Sequence, residues 1–345
     1  MKIKIAARAS ALAVVIAVSG GVAQAQDVTL KVAHFLGPNS VAQKQLLEPW
    51  CERISKESSG KLKCQMYPAM QLGGTPPQLF DQAKDGVADV VWTIPTYQAG
   101  RFSKSEVFEL PFLIKSSETG SPALWEYIQK NALDEYRGVK LILTHVHDGA
   151  QFHFTTKEVK SMDDLKGLKV RAPTRISTKV LTALGAVPVQ MPVPQLPEAM
   201  SKGVVDGTSL PWEVVPALKI DEIAKTHTET PAGLPTMSNT IFAVVMNQAK
   251  YDSLPADLKK VIDNNSGVDA SKMAGKIWDS TVAPARKSAQ DKKASFYTIS
   301  ATEYDRWKKA TEGVPGEWFQ EVSAKGGNGP ALYEDAKAMI RKYGG

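Results

Sequence analysis

Two arginines four residues apart, in the stretch KVRAPTRIST (169–178), are the side chains best suited to binding chemistry. Arg171 closes a β-rich stretch just before Ala-Pro, at the carboxyl end of a predicted strand, where open α/β sheets gather their ligands. A guanidinium there offers a planar two-pronged donor to a carboxylate, whereas lysine offers only a point charge. The plainer alternative pairs Arg171 with Asp163 or Asp164 nearby, and Arg175 falls on the next helix, where it can face outward. Aromatic residues form a second theme. Phe35, Trp92, Tyr97 and Trp212 lie at or just past strand ends. Aromatic walls with few polar anchors build small-ligand pockets, although core packing uses the same side chains.

Other chemistry is absent by motif. The chain has no Gly-x-Ser-x-Gly elbow, no His-Glu-x-x-His pair and no phosphate loop. His145 and His147, two apart on a predicted strand, share one face, and His153 follows. No cysteine cluster or carboxylate stands near them at ligand spacing, so they read as polar residues beside a cleft rather than a metal site. Neither a cofactor nor a catalytic residue is expected.

The elements that must hold these residues are written twice. QLFDQAKDGVAD (78–89) and QLPEAMSKGVVD (195–206) lie 117 residues apart and share the ending Gly-Val-x-Asp. That interval exceeds the roughly 20–50 residues of a solenoid repeat and suits two related lobes. Predicted strands are VTLKVAHF (28–35), GKLKCQMYP (60–68), ADVVWTI (88–94), VKLILTHVH (139–147), LKGLKVRAP (165–173), AVPVQM (186–191), VVDGTSLP (204–211) and NTIFAVVMN (239–247). Helices run from Ser40, up to Gly86, Gly185 and Gly203, and continuously from Ala256 to about Lys293. Strands alternating with helices give an α/β class.

Residues 1–25 read as a signal peptide, with Lys2, Lys4 and Arg8 before an apolar run too short to span a bilayer and Ala-Gln-Ala before the cut. Removing them lowers the formal charge from +6 to +3, without a dense basic block, so no nucleic-acid partner is expected. Cys51 and Cys64 remain. In an oxidising compartment they either close a disulfide or pack as two buried thiols.

AHFLGPNS (33–40), YPAMQLGGTPPQLFDQAKDGVADVVWT (67–93), GRFSKSEVFELPF (100–112) and especially residues 165–219 resemble the solute-binding proteins of TRAP (tripartite ATP-independent periplasmic) transporters. The most specific marks are KVR followed by proline, LGAVPV and Gly-Val-x-Asp-Gly. The resemblance implies a two-lobed periplasmic binding protein, each lobe a mixed sheet flanked by helices, with crossing strands and a long bridging helix. Lobe I would comprise 26–148 plus about 238–275, lobe II 149–237 plus about 276–320, and a C-terminal helix about 321–345. It implies a small organic acid ligand, a carboxylate clamp at Arg171, the transporter's membrane subunits as partners, a periplasmic location and a monomer. Where many relatives carry Asn before a proline, this chain has Leu210 followed by Pro211 and Trp212. Where several carry a second basic residue, it has Gln151, Phe152 and His153. The expected contacts are therefore Arg171, Arg175, Gln151, His153, Phe35, Trp92, Tyr97, Trp212 and Asn239. One strong cation among aromatics favours a monocarboxylate with an apolar or aromatic body. Arg175 turned inward would revive a dicarboxylate or keto acid, and a secreted enzyme or sensor partner using the same cleft is the remote alternative.

Overall fold

The computed structural model describes residues 27–345, so the signal-peptide reading lies outside the described residues. Among the described residues eleven strands follow in order: β1 (Val28–Ala33), β2 (Leu62–Tyr67), β3 (Val90–Thr93), β4 (Val139–Val146), β5 (Gln151–Phe154), β6 (Lys169–Ala172), β7 (Val187–Gln190), β8 (Gly207–Leu210), β9 (Thr226–Glu229), β10 (Ile241–Asn247) and β11 (Ser295–Thr298). They form two mixed sheets, ordered β2-β1-β3-β10-β4 and β11-β9-β5-β8-β6-β7. In the first, β10 runs antiparallel to both its neighbours. In the second, β5 does the same between β8 and β9. Each sheet is thus a parallel βαβ set extended by a strand that has crossed over. The two-lobed α/β fold follows directly.

The repeated stretches explain this symmetry. Each is a short 3-10 turn opened by proline that runs into a helix, Leu79–Lys84 or Leu196–Ser201, and ends at a left-handed glycine, Gly86 or Gly203. The positive φ there carries no steric cost for glycine. The residue two places on (Ala88 or Val205) is buried, and the next strand starts two residues later, at Val90 or Gly207.

One helix departs from expectation. The helical pattern from Ala256 to Lys293 is broken into Ala256–Asn264 and Val268–Asp291. The break is held from outside: Trp50 Nε1 donates to Asn265 O at 3.0 Å, and Gly267 N, in a left-handed backbone, donates to Ile142 O at 2.8 Å. The 24-residue second piece is about 36 Å long at 1.5 Å per residue. It packs on helix Ser117–Tyr127 of the first lobe and on the turn Trp212–Val214 of the second. A Cβ at Gly275 would meet Ser117 O at 2.2 Å, so that crossing requires glycine. Cys51 and Cys64 form a disulfide that ties helix Glu48–Glu57 to β2. Strands β5, β9 and β11, each four residues long, were not expected from the sequence.

Candidate functional site

Arg171 is the third residue of β6, and its guanidinium lies between the sheets, 2% exposed. Its Nε donates to Met191 O at 3.0 Å, while Nη2 is buried without a hydrogen-bond partner. Asp163 and Asp164 leave it alone: Asp163 pairs with Arg306 and Lys166, and Asp164 caps its own turn at Ser161. Burial lowers the Arg171 pKa, with Tyr97 beside it acting in the opposite direction. A guanidinium stays charged even so. A desolvated cation with a free N–H is costly unless something anionic meets it.

Arg171 lines a cavity whose space free of protein atoms, counted together with the solvent at its mouth, is about 430 Å³. Phe35, Trp92, Tyr97 and Phe242 form its aromatic side. Phe35 stacks on Trp92 at 4.8 Å between ring centroids, and Trp92 on Phe242 at 5.0 Å. The stack is fixed from behind. Trp92 Nε1 donates to His145 Nε2 at 2.8 Å, and His145 Nδ1 in turn donates to Val146 O. Burial pushes the His145 pKa down to about 3, so the imidazole is neutral.

Ser209, His147, Thr240 and Glu213 add polar atoms to the wall. Ser209 Oγ is buried and unpartnered. His147 Nδ1 accepts from Gly149 N at 3.0 Å, which leaves its proton on Nε2. Burial, then His145 and Arg171, hold its pKa down to about 3. The lobes meet across the cavity through Val193 N to Tyr97 Oη at 3.1 Å and Thr174 Oγ1 to Glu109 Oε2 at 2.7 Å.

Five expected contacts do not line this cavity, and each has a competing partner. Arg175 is forked onto Glu106, with Nε to Oε1 at 2.7 Å, and also pairs with Glu321. Gln151 exchanges hydrogen bonds with Thr230. His153 donates through Nε2 to Leu210 O and receives His227 at Nδ1, 2.7 Å away. Trp212 points out of the cavity to Glu229, 3.0 Å from its Nε1, and packs edge-on against His153. Asn239 stitches the crossing strands, accepting from His147 N and donating to His147 O. Ser209, Glu213, Phe242 and Thr240 went unnoticed in the sequence. The repeat held one usable signal: Trp92 and Ser209 each stand three residues after the Asp of Gly-Val-x-Asp.

Residues 32–321 match the family model described as bacterial extracellular solute-binding protein, family 7. The chain belongs to this family, the solute-binding proteins of TRAP transporters. Family members are extracytoplasmic. Among solved structures, a TRAP solute-binding protein from Rhodoferax ferrireducens T118, in complex with copurified benzoate, is 44% identical with a TM-score of 0.90, covering 92% of this chain and 98% of that one. A marine metagenome TRAP protein specific for aromatic acid ligands, co-crystallised with 3-hydroxybenzoate, is 42% identical with a TM-score of 0.90 over 92% and 99%. One from Bordetella bronchiseptica with bound (R)- and (S)-mandelate is 30% identical, with a TM-score of 0.83 over 91% and 99%. The family's Gly-Val-x-Asp-Gly motif has a steric reason in this TRAP protein. A Cβ at Gly207 would stand 2.6 Å from His153 O and 2.3 Å from the Phe154 ring.

Proposed function

We propose that this protein captures a small aromatic monocarboxylate in the periplasm and presents it to the membrane subunits of a TRAP transporter. The buried, unpartnered Nη2 of Arg171 in a cavity with one aromatic side carries the reading. The bond from Nε to Met191 O fixes the guanidinium plane, and a carboxylate supplies the missing counter-charge. Ser209 Oγ and His147 Nε2–H, on the same wall, add neutral donors. Phe35, Trp92, Tyr97 and Phe242 then cover the body of the ligand.

A single carboxylate is favoured because Arg175 is committed to Glu106 and Glu321. A second carboxylate in the cavity would lack a cation, and burying it unpaired is costly. Benzoate, 3-hydroxybenzoate and mandelate, the ligands of the three related structures, are all single carboxylates on a ring. Capture needs no covalent step, so the protein acts as a carrier rather than an enzyme, and it acts as a monomer. Closure of the lobes is the signal passed to the membrane partner: a ligand that binds the closed form better shifts the population toward it.

The test is calorimetry with benzoate. Arg171→Ala should lose roughly 2–5 kcal/mol of binding free energy, the usual cost of truncating one side of a buried charged pair. Its melting temperature reports whether the fold survives. A folded variant that binds benzoate as tightly as the parent would refute the clamp.

A further inference from the structure

Among the described residues Glu213 is the one carboxylate on the cavity wall, and it is 4% exposed. It follows β8 in the turn Trp212–Val214, whose backbone is held by Asp148: Trp212 N donates to Asp148 Oδ2 at 3.0 Å. No cation is among the groups that set its charge. Burial first, and the negative charge of Asp148 second, push its carboxyl up to about 8, with Trp278 beside it pulling the other way. Glu213 therefore holds its proton at neutral pH, and its uncharged carboxyl does not compete with Arg171 for the ligand. Its Oε1 is buried and has no hydrogen-bond partner. A buried acceptor left unmatched costs the full desolvation of that group, and a ligand donor removes the cost. The wall is thus bipolar: a donor with no acceptor at Arg171 Nη2, and a buried carboxyl oxygen with no partner at Glu213 Oε1, beside the equally unpartnered Trp278 Nε1.

The two poles stand in separate settings. Arg171 is surrounded by Tyr97 and the Met191 carbonyl, whereas Glu213 sits with Asp148 and the bridging helix at Trp278. Glu213 also borders an outer groove lined by Asn39, Gln45, Pro216, Thr281 and Ser288, so it stands in the partition between the cavity and the outside. A ligand anchored at Arg171 by its carboxylate would meet Glu213 with another part of its body.

We infer that Glu213 is a specificity residue for a hydroxyl on the ligand, and that the preferred ligand is a ring-hydroxylated aromatic acid rather than an unsubstituted one. This rests on the aromatic-carboxylate reading of the same cavity. The ligand O–H donates to Glu213 Oε1. A site built to receive a hydroxyl discriminates against an analogue lacking it, because the buried acceptor is then left unpaired. The loss is about fivefold or more for one neutral hydrogen bond.

The experiment measures benzoate, 3-hydroxybenzoate and 4-hydroxybenzoate by calorimetry against the parent protein, Glu213→Gln and Glu213→Leu. The parent should bind at least one hydroxybenzoate about fivefold or more tightly than benzoate. Glu213→Leu should erase that preference, so that the hydroxybenzoates bind no more tightly than benzoate in the same variant. Glu213→Gln, which keeps a carbonyl acceptor of nearly the same size, should preserve most of the preference and guards against a folding defect in the leucine variant. Benzoate binding as tightly as both hydroxybenzoates in the parent, or a preference that survives in folded Glu213→Leu, overturns the inference and leaves the carboxylate clamp standing. No binding of any of the three acids overturns the clamp reading, and this inference with it.

Discussion

In the first lobe Asp89 accepts a hydrogen bond from Lys31 N at 2.8 Å and donates its own N–H to Lys31 O; in the second, Asp206 does the same with Lys169. Strand registers continue the match. Ala33 pairs with Val91 as Arg171 pairs with Thr208. Three residues past each aspartate, both side chains reach the cavity, but one is Trp92 and the other Ser209. The counterpart of Arg171 is Ala33, fully buried and without chemistry. The shared part is therefore the backbone frame up to the strand ends. Beyond it, one lobe presents an aromatic stack and the other a cation with hydroxyl neighbours. On the proposed reading this asymmetry orients the ligand, ring toward the first lobe and carboxylate toward the second.

The Trp92 and Ser209 pair gives the strongest way to break that division. Trp92→Ala removes a buried indole and leaves His145 Nε2 without its donor, so it should cost roughly 3–5 kcal/mol of stability. Benzoate affinity should collapse with it. Ser209→Ala removes a hydroxyl that has no partner in the protein and should stay within about 0.5 kcal/mol in stability. Denaturant unfolding of both variants checks this. A serine variant as damaged as the tryptophan one would mean that the two lobes do not divide the work.

The aspartates sharpen the other half of the comparison, the claim that the frame is common. Each carboxylate accepts from a backbone N–H of the neighbouring strand, a bond worth about 1.5–3 kcal/mol when one partner is charged. Asp89→Ala and Asp206→Ala should therefore destabilise the protein by similar amounts. A clear inequality between their unfolding midpoints would show that the repeat is a likeness of sequence without a likeness of load.

Much of this frame was legible because local rules and tertiary structure agree along it. The glycine stops at Gly86 and Gly203, the alternation in β1 and the apolar run of β10 all act within a few residues. Arg171 was legible for the same reason, since a strand followed by proline fixes where its side chain ends. The expectations that failed depend on partners far away in sequence. Trp212 turns from the cavity because Glu229 receives its indole N–H, and Arg175 because Glu106 waits 69 residues earlier. The break at residues 265–267 is held by Trp50 and Ile142, neither visible from the helical pattern itself. Strands β9 and β11 are short, and their pairing with each other and with β5 is long-range.

The smallest effect concerns pH, and it again separates the lobes, since the groups involved cluster where the second lobe meets the crossing strands. Burial raises Asp148 to about 7 and Glu213 to about 8, the latter with help from Asp148. The groups facing them are Asp279 on the bridging helix, which raises Asp148 further, and the indole of Trp278. His147, held near 3, and Arg171, always cationic, do not titrate in this window. For an acid whose pKa is raised in the closed form, the stabilisation is complete below its ordinary pKa and is lost as pH rises through the raised value. Closure should therefore take up a proton near neutrality, and benzoate affinity should fall as pH rises. With Glu213 near 8, the drop from pH 7 to pH 9 is about tenfold for one proton. Glu213→Gln should flatten most of it. Calorimetry in buffers of different ionisation enthalpy detects the proton directly. An affinity that is constant across pH 7–9 in the parent would mean that Glu213 keeps the same protonation in the open and closed forms.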